Sequence, residues 1–569
     1  MAVSFHTLKP GATRSRLFNK RNIIGLALVL AVALFTVVPV LFLVVSSFNV
    51  AEPGQATTFG LGNWIGAFDD PRILDAIWTT FGLVAARLSI GVLAGIMFAW
   101  LIARTDMPGG TTFEFLFWIA FFTPALPLTV GWILLLDPEN GLINTLIGPH
   151  FDIFSFWGIV WVHLTATTIP VAVILFTPAF RQMSAVLEES ARMCGATALG
   201  TLRRVTVPLL IPAILPATAI MLIRSLEAFE IELLLGSPVG IFVYSTRIYD
   251  LIDEVPAEYG MATALGTLFL FAVFVMAALY ALCVRGRRFT TVTGQGFSTE
   301  RIKLGRWRWP AFALCTLYLS LSFGLGMVFL FLSSFMRRFG FFDIKDPFTL
   351  EHWTVLLEDP ILLSSLWNSL LLGAATAVVG VVLFSLVAYV IVRGRVTGRG
   401  VIDILAWLPW ATPGVLMGLA LVWLYLETPL RVLFYGTIAG LVVAMLIKEL
   451  PVGVQLLKSG FVRLGDELEE AARVCGASWS ITYWKVILPL VAPVLATVAV
   501  LSFQAAVRDI ASVVFLYDND SRPLSILMLE YSFSGEMERG AAAGILLVIM
   551  ITIMAVIARW LGHRSGTSS

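Results

Sequence analysis

The chain has 569 residues, of which 58% are hydrophobic and 13% charged, and its mean hydropathy is +0.90. A soluble domain carries about 25% charged residues, so this composition excludes a soluble fold and describes an integral membrane protein. A formal net charge of +1 says nothing of partners by itself, and four cysteines (Cys194, Cys283, Cys315, Cys475) without ligand spacing exclude a disulfide framework or a thiolate metal site.

Residues 1–22 are a polar tail carrying Lys9, Arg14, Arg16, Lys20 and Arg21. The apolar run from Ile23 to Val45 reaches the roughly 20 residues that a bilayer crossing needs. It exceeds the roughly 7–15-residue core of a signal peptide, and SSFNVAEPG after it lacks a small-x-small cleavage site, so it is read as an uncleaved first span. Further apolar runs lie at 74–103, 113–136, 156–179, 205–226 and 261–284. A basic linker at 285–309 separates these from runs at 310–334, 363–392, 402–426, 433–457, 486–512 and 541–560. Twelve spans are predicted, six in a first half over 23–284 and six in a second over 310–560, with a short tail at 561–569.

With the N-terminus in the cytoplasm, 26 of the 38 lysines and arginines fall on cytoplasmic segments, eight on outer loops and four within spans. That bias follows the positive-inside rule and places both termini in the cytoplasm.

The halves repeat one another. At an offset of 289, Trp64 meets Trp353, Asp70-Pro71 meets Asp359-Pro360, Arg104 meets Arg393, and Thr123-Pro124 meets Thr412-Pro413. Later the offset becomes 281, because the outer loop between spans 9 and 10 is eight residues shorter. An even number of spans per half makes the repeat parallel, about an axis along the membrane normal.

The most telling repeat is a polar island. Residues 188–208, EESARMCGATALGTLRRVTVP, fall on 469–489, EEAARVCGASWSITYWKVILP. Glu188 and Glu189, like Glu469 and Glu470, lie toward the start of a short helix, where the macrodipole favours negative charge. Ala191 and Ala472 are small enough to admit another protein's surface, and Gly195 and Gly476 permit a sharp bend. Pro208 and Pro489 are expected to mark re-entry into the bilayer at a helix start, where a missing N–H costs nothing. Trp479, Tyr483 and Trp484 give the second copy more aromatic surface, which predicts that it is the stronger docking site.

The spacing E-A-A, three residues, G, nine residues, I-x-L-P in both copies resembles the coupling loop of ABC importer permeases, with Ser190, Val205, Val207 and Val486 as conservative departures. The resemblance runs through both six-span halves and implies an all-α type I permease fold, two copies of an ABC ATPase subunit, and a periplasmic substrate-binding protein. It implies a bacterial cytoplasmic membrane and contact with membrane lipid, with ATP and Mg bound by the partner subunit. Among fused permeases the chain resembles ferric-iron importers first, on the stretches 227–250, 294–309 and 507–527, with thiamine and 2-aminoethylphosphonate permeases as relatives.

No Gly-Lys dipeptide occurs, so there is no phosphate-binding loop of the Walker type, and ATP hydrolysis is expected from a separate subunit. No catalytic constellation, metal site or nucleic-acid surface is predicted, and the scattered histidines, His163 among them, are read as surface or interfacial residues. The outer loops carry 24 acidic against eight basic residues, an arrangement that raises local cation concentration. A rival reading, a transporter driven by an ion gradient, needs ionisable groups deep in the membrane, and Arg87 and Lys448-Glu449 are the candidates. Glu227 and Arg508 coincide at the offset of 281; with Glu230, Glu232 and Asp509 nearby, they are expected to form a charge-paired outer gate.

Overall fold

The computed structural model describes residues 20–51, 57–148, 150–183, 185–284, 301–394 and 398–566. The tail expected at 1–22 and the linker expected at 285–309 therefore lie largely outside the described residues. Among the described residues the chain is helical, and its only β-pairings are the isolated bridges Asn49–Phe59, Thr105–Ile302 and Met336–Phe348.

Among the described residues nine helical runs and three bent pairs are long and apolar enough to cross a membrane, twelve spans when each bent pair is taken as one. Spans 2 and 8, Pro71–Arg104 and Pro360–Arg393, begin alike. In each an aspartate caps the helix, Asp70 accepting from the Arg72 N–H at 2.9 Å and Asp359 from the Ile361 N–H at 2.8 Å. Proline follows at the first helical position, where no N–H is required. The Asp-Pro pairs of the repeat are thus helix starts.

The Thr-Pro pairs are helix breaks. Span 3 is Gly110–Phe122 and Ala125–Leu136, set at 95°, and span 9 is Arg399–Trp410 and Gly414–Leu426, set at 108°. Proline disfavours helical backbone in the residue before it, and Thr123 and Thr412 are indeed extended, with ψ of 131° and 107°. Span 11 also bends, by 79° between Trp479–Leu490 and Ala492–Arg508, whereas its counterpart span 5 continues unbroken through Val207–Leu226.

The two halves of the sequence exchange their first spans. Span 1 (Lys20–Ser46) packs against span 9, and its Val32 joins a buried cluster with Phe384, Ile402 and Leu450 of the second half. Span 7 (Gly305–Phe335) packs reciprocally on span 3. Its crossing point is Gly131 against Gly326, where a Cβ on Gly131 would stand 2.1 Å from the Gly326 carbonyl oxygen. Tyr318 stacks beside Phe98 and Phe117 and donates to the Leu164 carbonyl at 2.9 Å. Just before span 7, the Ile302 N–H donates to the Arg104 carbonyl at 2.7 Å, and the Asp106 N–H to the Ile302 carbonyl at 3.0 Å.

Candidate functional site: paired surface helices and a charged junction

Each polar island is a short helix, Ala185–Met193 in the first half and Glu467–Val474 in the second. The bridge at Ile302 places the start of span 7 beside the end of span 2; two crossings separate that end from the first island and four separate that start from the second, so both islands lie at one end of the bundle. Gly195 and Gly476 end the helices with φ of +86° and +82°. There the Ala196 and Ala477 N–H groups close back on the Ala191 and Ala472 carbonyls at 3.1 and 2.9 Å. A Cβ at either glycine would meet open space, so backbone conformation alone demands glycine.

The predicted residues divide by position. Glu189, Ala191 and Ala472 are half-buried, and Glu470 is exposed. The outermost apolar side chains are Met193, 90% exposed, and Val474, 88% exposed, at equivalent positions that the motif did not single out. Pro208 and Pro489 do not start helices. Each follows a π-helical turn, Leu202–Thr206 or Tyr483–Ile487, that already carries the helix forward, Pro208 in an unbroken span and Pro489 one residue short of the end of its helix at Leu490. The wider turn removes the need for the missing proline N–H. Tyr483 is fully buried, so the exposed aromatic surface of the second island is Trp479 and Trp484 alone.

The islands are held to the bundle in different ways. Glu188, 1% exposed, takes the Arg104 Nε at 3.1 Å and the Thr206 hydroxyl at 2.8 Å, tying the first helix to the ends of spans 2 and 5. In the second half the equivalent Arg393 pairs with Asp466 and donates to the Phe461 carbonyl at 3.1 Å and to the Leu464 carbonyl. Glu469 turns to Arg473 at 3.0 Å. An aromatic knot replaces the ion pair: Tyr483 stacks on Trp479 at 5.4 Å, meets Tyr389 at 5.2 Å and bonds the Ser385 hydroxyl at 2.7 Å.

A second constellation lies where the halves meet, near the broken spans. Arg508 donates to the Phe121 carbonyl at 3.3 Å and Gln504 to the Phe122 carbonyl at 3.1 Å, both freed by the break in span 3. In the opposite sense, Arg224 of the first half lies 5.8 Å from the Trp410 ring at the break in span 9. Lys448 pairs with Asp509. The expected pair of Glu227 with Arg508 is not formed: Glu227 is held by Arg224, one turn back, at 3.2 Å, and Arg508 spends its N–H on the freed carbonyl. Glu232 sits deeper in the first half, accepting from Arg87 at 3.0 Å and contacting His163 Nε2 at 2.7 Å. His163 is therefore a buried, bonded residue, contrary to the surface or interfacial position expected. Among the described residues, the carboxylates of Glu230 and Glu449 find no hydrogen bond or ion pair.

Two six-span halves with a matching surface helix apiece define a duplicated permease. The protein-family model for the binding-protein-dependent transport system inner membrane component matches twice, at 91–289 and 380–566. The chain belongs to that family, as a fused two-half permease of an ABC importer of the inner membrane. It is 24% identical to a ferric transport system permease protein of Actinobacillus pleuropneumoniae over 94% of this chain and 77% of that protein. It is 25% identical to a molybdate/tungstate transport system permease protein of Thermococcus kodakarensis over 39% of this chain and 87% of that one. A solved bacterial ABC transporter involved in import of the acidic polysaccharide alginate is similar at 21% identity and a TM-score of 0.40, covering 48% of this chain and 99% of that chain.

Proposed function

We propose that the chain forms the membrane path for ferric iron, delivered by a periplasmic binding protein and released to the cytoplasm. The observation that carries this reading is coverage: the ferric relative aligns through both fused halves, whereas the molybdate/tungstate relative aligns with 39% of the chain. The acidic excess of the outer loops supports the same sign of cargo. Uptake of labelled ferric iron, molybdate, thiamine and 2-aminoethylphosphonate, measured side by side in cells lacking other routes, tests it. Iron uptake that depends on this chain is expected, and uptake of molybdate or the phosphonate alone would overturn it.

Two copies of an ATPase subunit would dock on Ala185–Met193 and Glu467–Val474, at the cytoplasmic end. ATP and Mg would be bound there, and the purified chain alone would not hydrolyse ATP. Cys194 and Cys475 are exposed beside the docking helices and Cys315 is buried. With Cys283 replaced by serine, a membrane-impermeant maleimide should label the chain only in inverted vesicles. Labelling of intact spheroplasts would place the islands on the wrong side.

A further inference from the structure

The junction between the halves holds seven ionisable side chains: Arg224, Glu227 and Glu230 from the end of span 5, Lys448 and Glu449 from span 10 (Ile438–Val462), and Arg508 and Asp509 from the end of span 11. Two pairs account for four of them, Arg224 with Glu227 and Lys448 with Asp509. Arg508 is bonded to the Phe121 carbonyl and lies 5.6 Å from its ring. Two carboxylates remain. Glu449 is 6% exposed, follows Lys448 in the chain, and among the described residues its carboxylate has no hydrogen bond or ion pair. Glu230, half-buried, lies three residues beyond Glu227, and its carboxylate is equally unpaired among the described residues. The cations next to them in the chain converge on one place, the break in span 9, with Arg224 over the Trp410 ring and the Lys448 amine beside Gly414. Ser512 faces it too: its buried hydroxyl has no partner, and it crowds Gly414 beside the Lys448 amine.

An ionisable residue inside the membrane is expensive and marks a function. A buried carboxylate kept only for structure would be expected to close on a cation, as Glu188, Glu232 and Asp509 do. We propose that Glu230 and Glu449, one from each half, form a way-station for a cation crossing between the halves. The proposal rests on the cargo reading above and adds the residues that select for positive charge. Among the described residues no group of three or more His, Cys, Asp or Glu side chains is spaced to hold a metal ion. Two carboxylates at a charged junction suit passage, which requires binding strong enough to enter and weak enough to leave. At the repeat offset, Glu230 falls on Ala511 and Glu449 on Thr168. A homodimer of identical halves would carry each of these carboxylates twice; unequal halves carry the pair once.

The test uses the full permease with its ATPase in proteoliposomes, supplied with iron-loaded or molybdate-loaded binding protein, every rate normalised to assembled complex. Glu449→Gln and the Glu449→Gln/Glu230→Gln double variant should lower the initial rate of iron uptake at least tenfold, and Glu449→Asp should restore it to within about threefold of wild type. If Glu449→Gln fails to assemble, Glu230→Gln at its half-buried site decides, with the same threshold. The wild-type arm decides the cargo, and the ratio of variant to wild type decides the station. A double variant within twofold of wild type on whichever cargo is imported overturns the station. So does a fall in molybdate uptake, since removing two carboxylates should relieve repulsion of an anion.

Discussion

The first island is anchored by charge and the second by aromatic rings, although the two are equivalent in sequence and place. Arg104 and Arg393 occupy the same position, as do Glu188 and Glu469, yet only the first pair meets. The difference lies in the neighbours. Thr206, whose hydroxyl steadies Glu188, is Ile487 in the second copy, and Asp466, which draws Arg393 away, is Ala185 in the first. Tyr483 and Tyr389 stand where the first half has Leu202 and Trp100. The outer face shows the same contrast. Asp70 joins a network around buried Arg247, whereas its counterpart Asp359 accepts from the Tyr531 hydroxyl at 3.1 Å. A duplicated frame keeps its helices and re-solves each anchorage with whatever side chains drift supplies.

Removing Arg104 should separate the two modes most strongly. Arg104→Ala strands Glu188 in a buried site and should cost about 3–5 kcal/mol. Arg393→Ala loses an ion pair whose aspartate is 84% exposed, a pair contributing about 0–1 kcal/mol, together with two carbonyl contacts. Denaturant midpoints of the two variants check this, and an Arg393→Ala cost equal to that of Arg104→Ala would erase the distinction.

Gly195→Ala and Gly476→Ala should fall together instead, each losing about 1–2 kcal/mol, the usual cost of left-handed backbone for an L-residue. A clear inequality between them would mean that the two turns are less alike than their φ values. Smaller still, Tyr483→Phe keeps the stack and loses only the bond to Ser385, about 0.5–1.5 kcal/mol; local hydrogen exchange around 479–487 would read it. Met193→Ser and Val474→Ser should leave the midpoint unmoved and reduce ATP-coupled uptake. Full coupling in both would show that these exposed side chains touch no partner.

The spans, the repeat and the islands were legible because each is written in local pattern: apolar length, fixed offset, a polar stretch closed by glycine. The breaks in spans 3 and 9 carried a local mark as well, Thr123-Pro124 and Thr412-Pro413. The same residue type sits without a break at Pro212 and Pro216 of span 5, so proline alone does not distinguish a bend from a straight helix. Partner choice was not legible. Arg87 and His163 reach Glu232 across 145 and 69 residues, and no periodicity records such a meeting. Symmetry suggested that Glu227 would meet Arg508, but an arginine one turn away and a carbonyl released by a broken helix were nearer.

The exchange of first spans sets a timetable for the chain's birth. Span 1 leaves the ribosome early, yet the surface that receives it, span 9 and the neighbouring Phe384, is made only after about 380 more residues, on the order of 20–80 s at ordinary rates of synthesis. For that interval Val32, buried in the finished protein among second-half residues, rests on lipid, while Leu43 can already lie against Gly266 of span 6 (Tyr259–Val284). The insertion machinery must therefore hold or release a helix whose main mate does not yet exist, and a chain stopped at residue 284 would leave span 1 resting on span 6 alone.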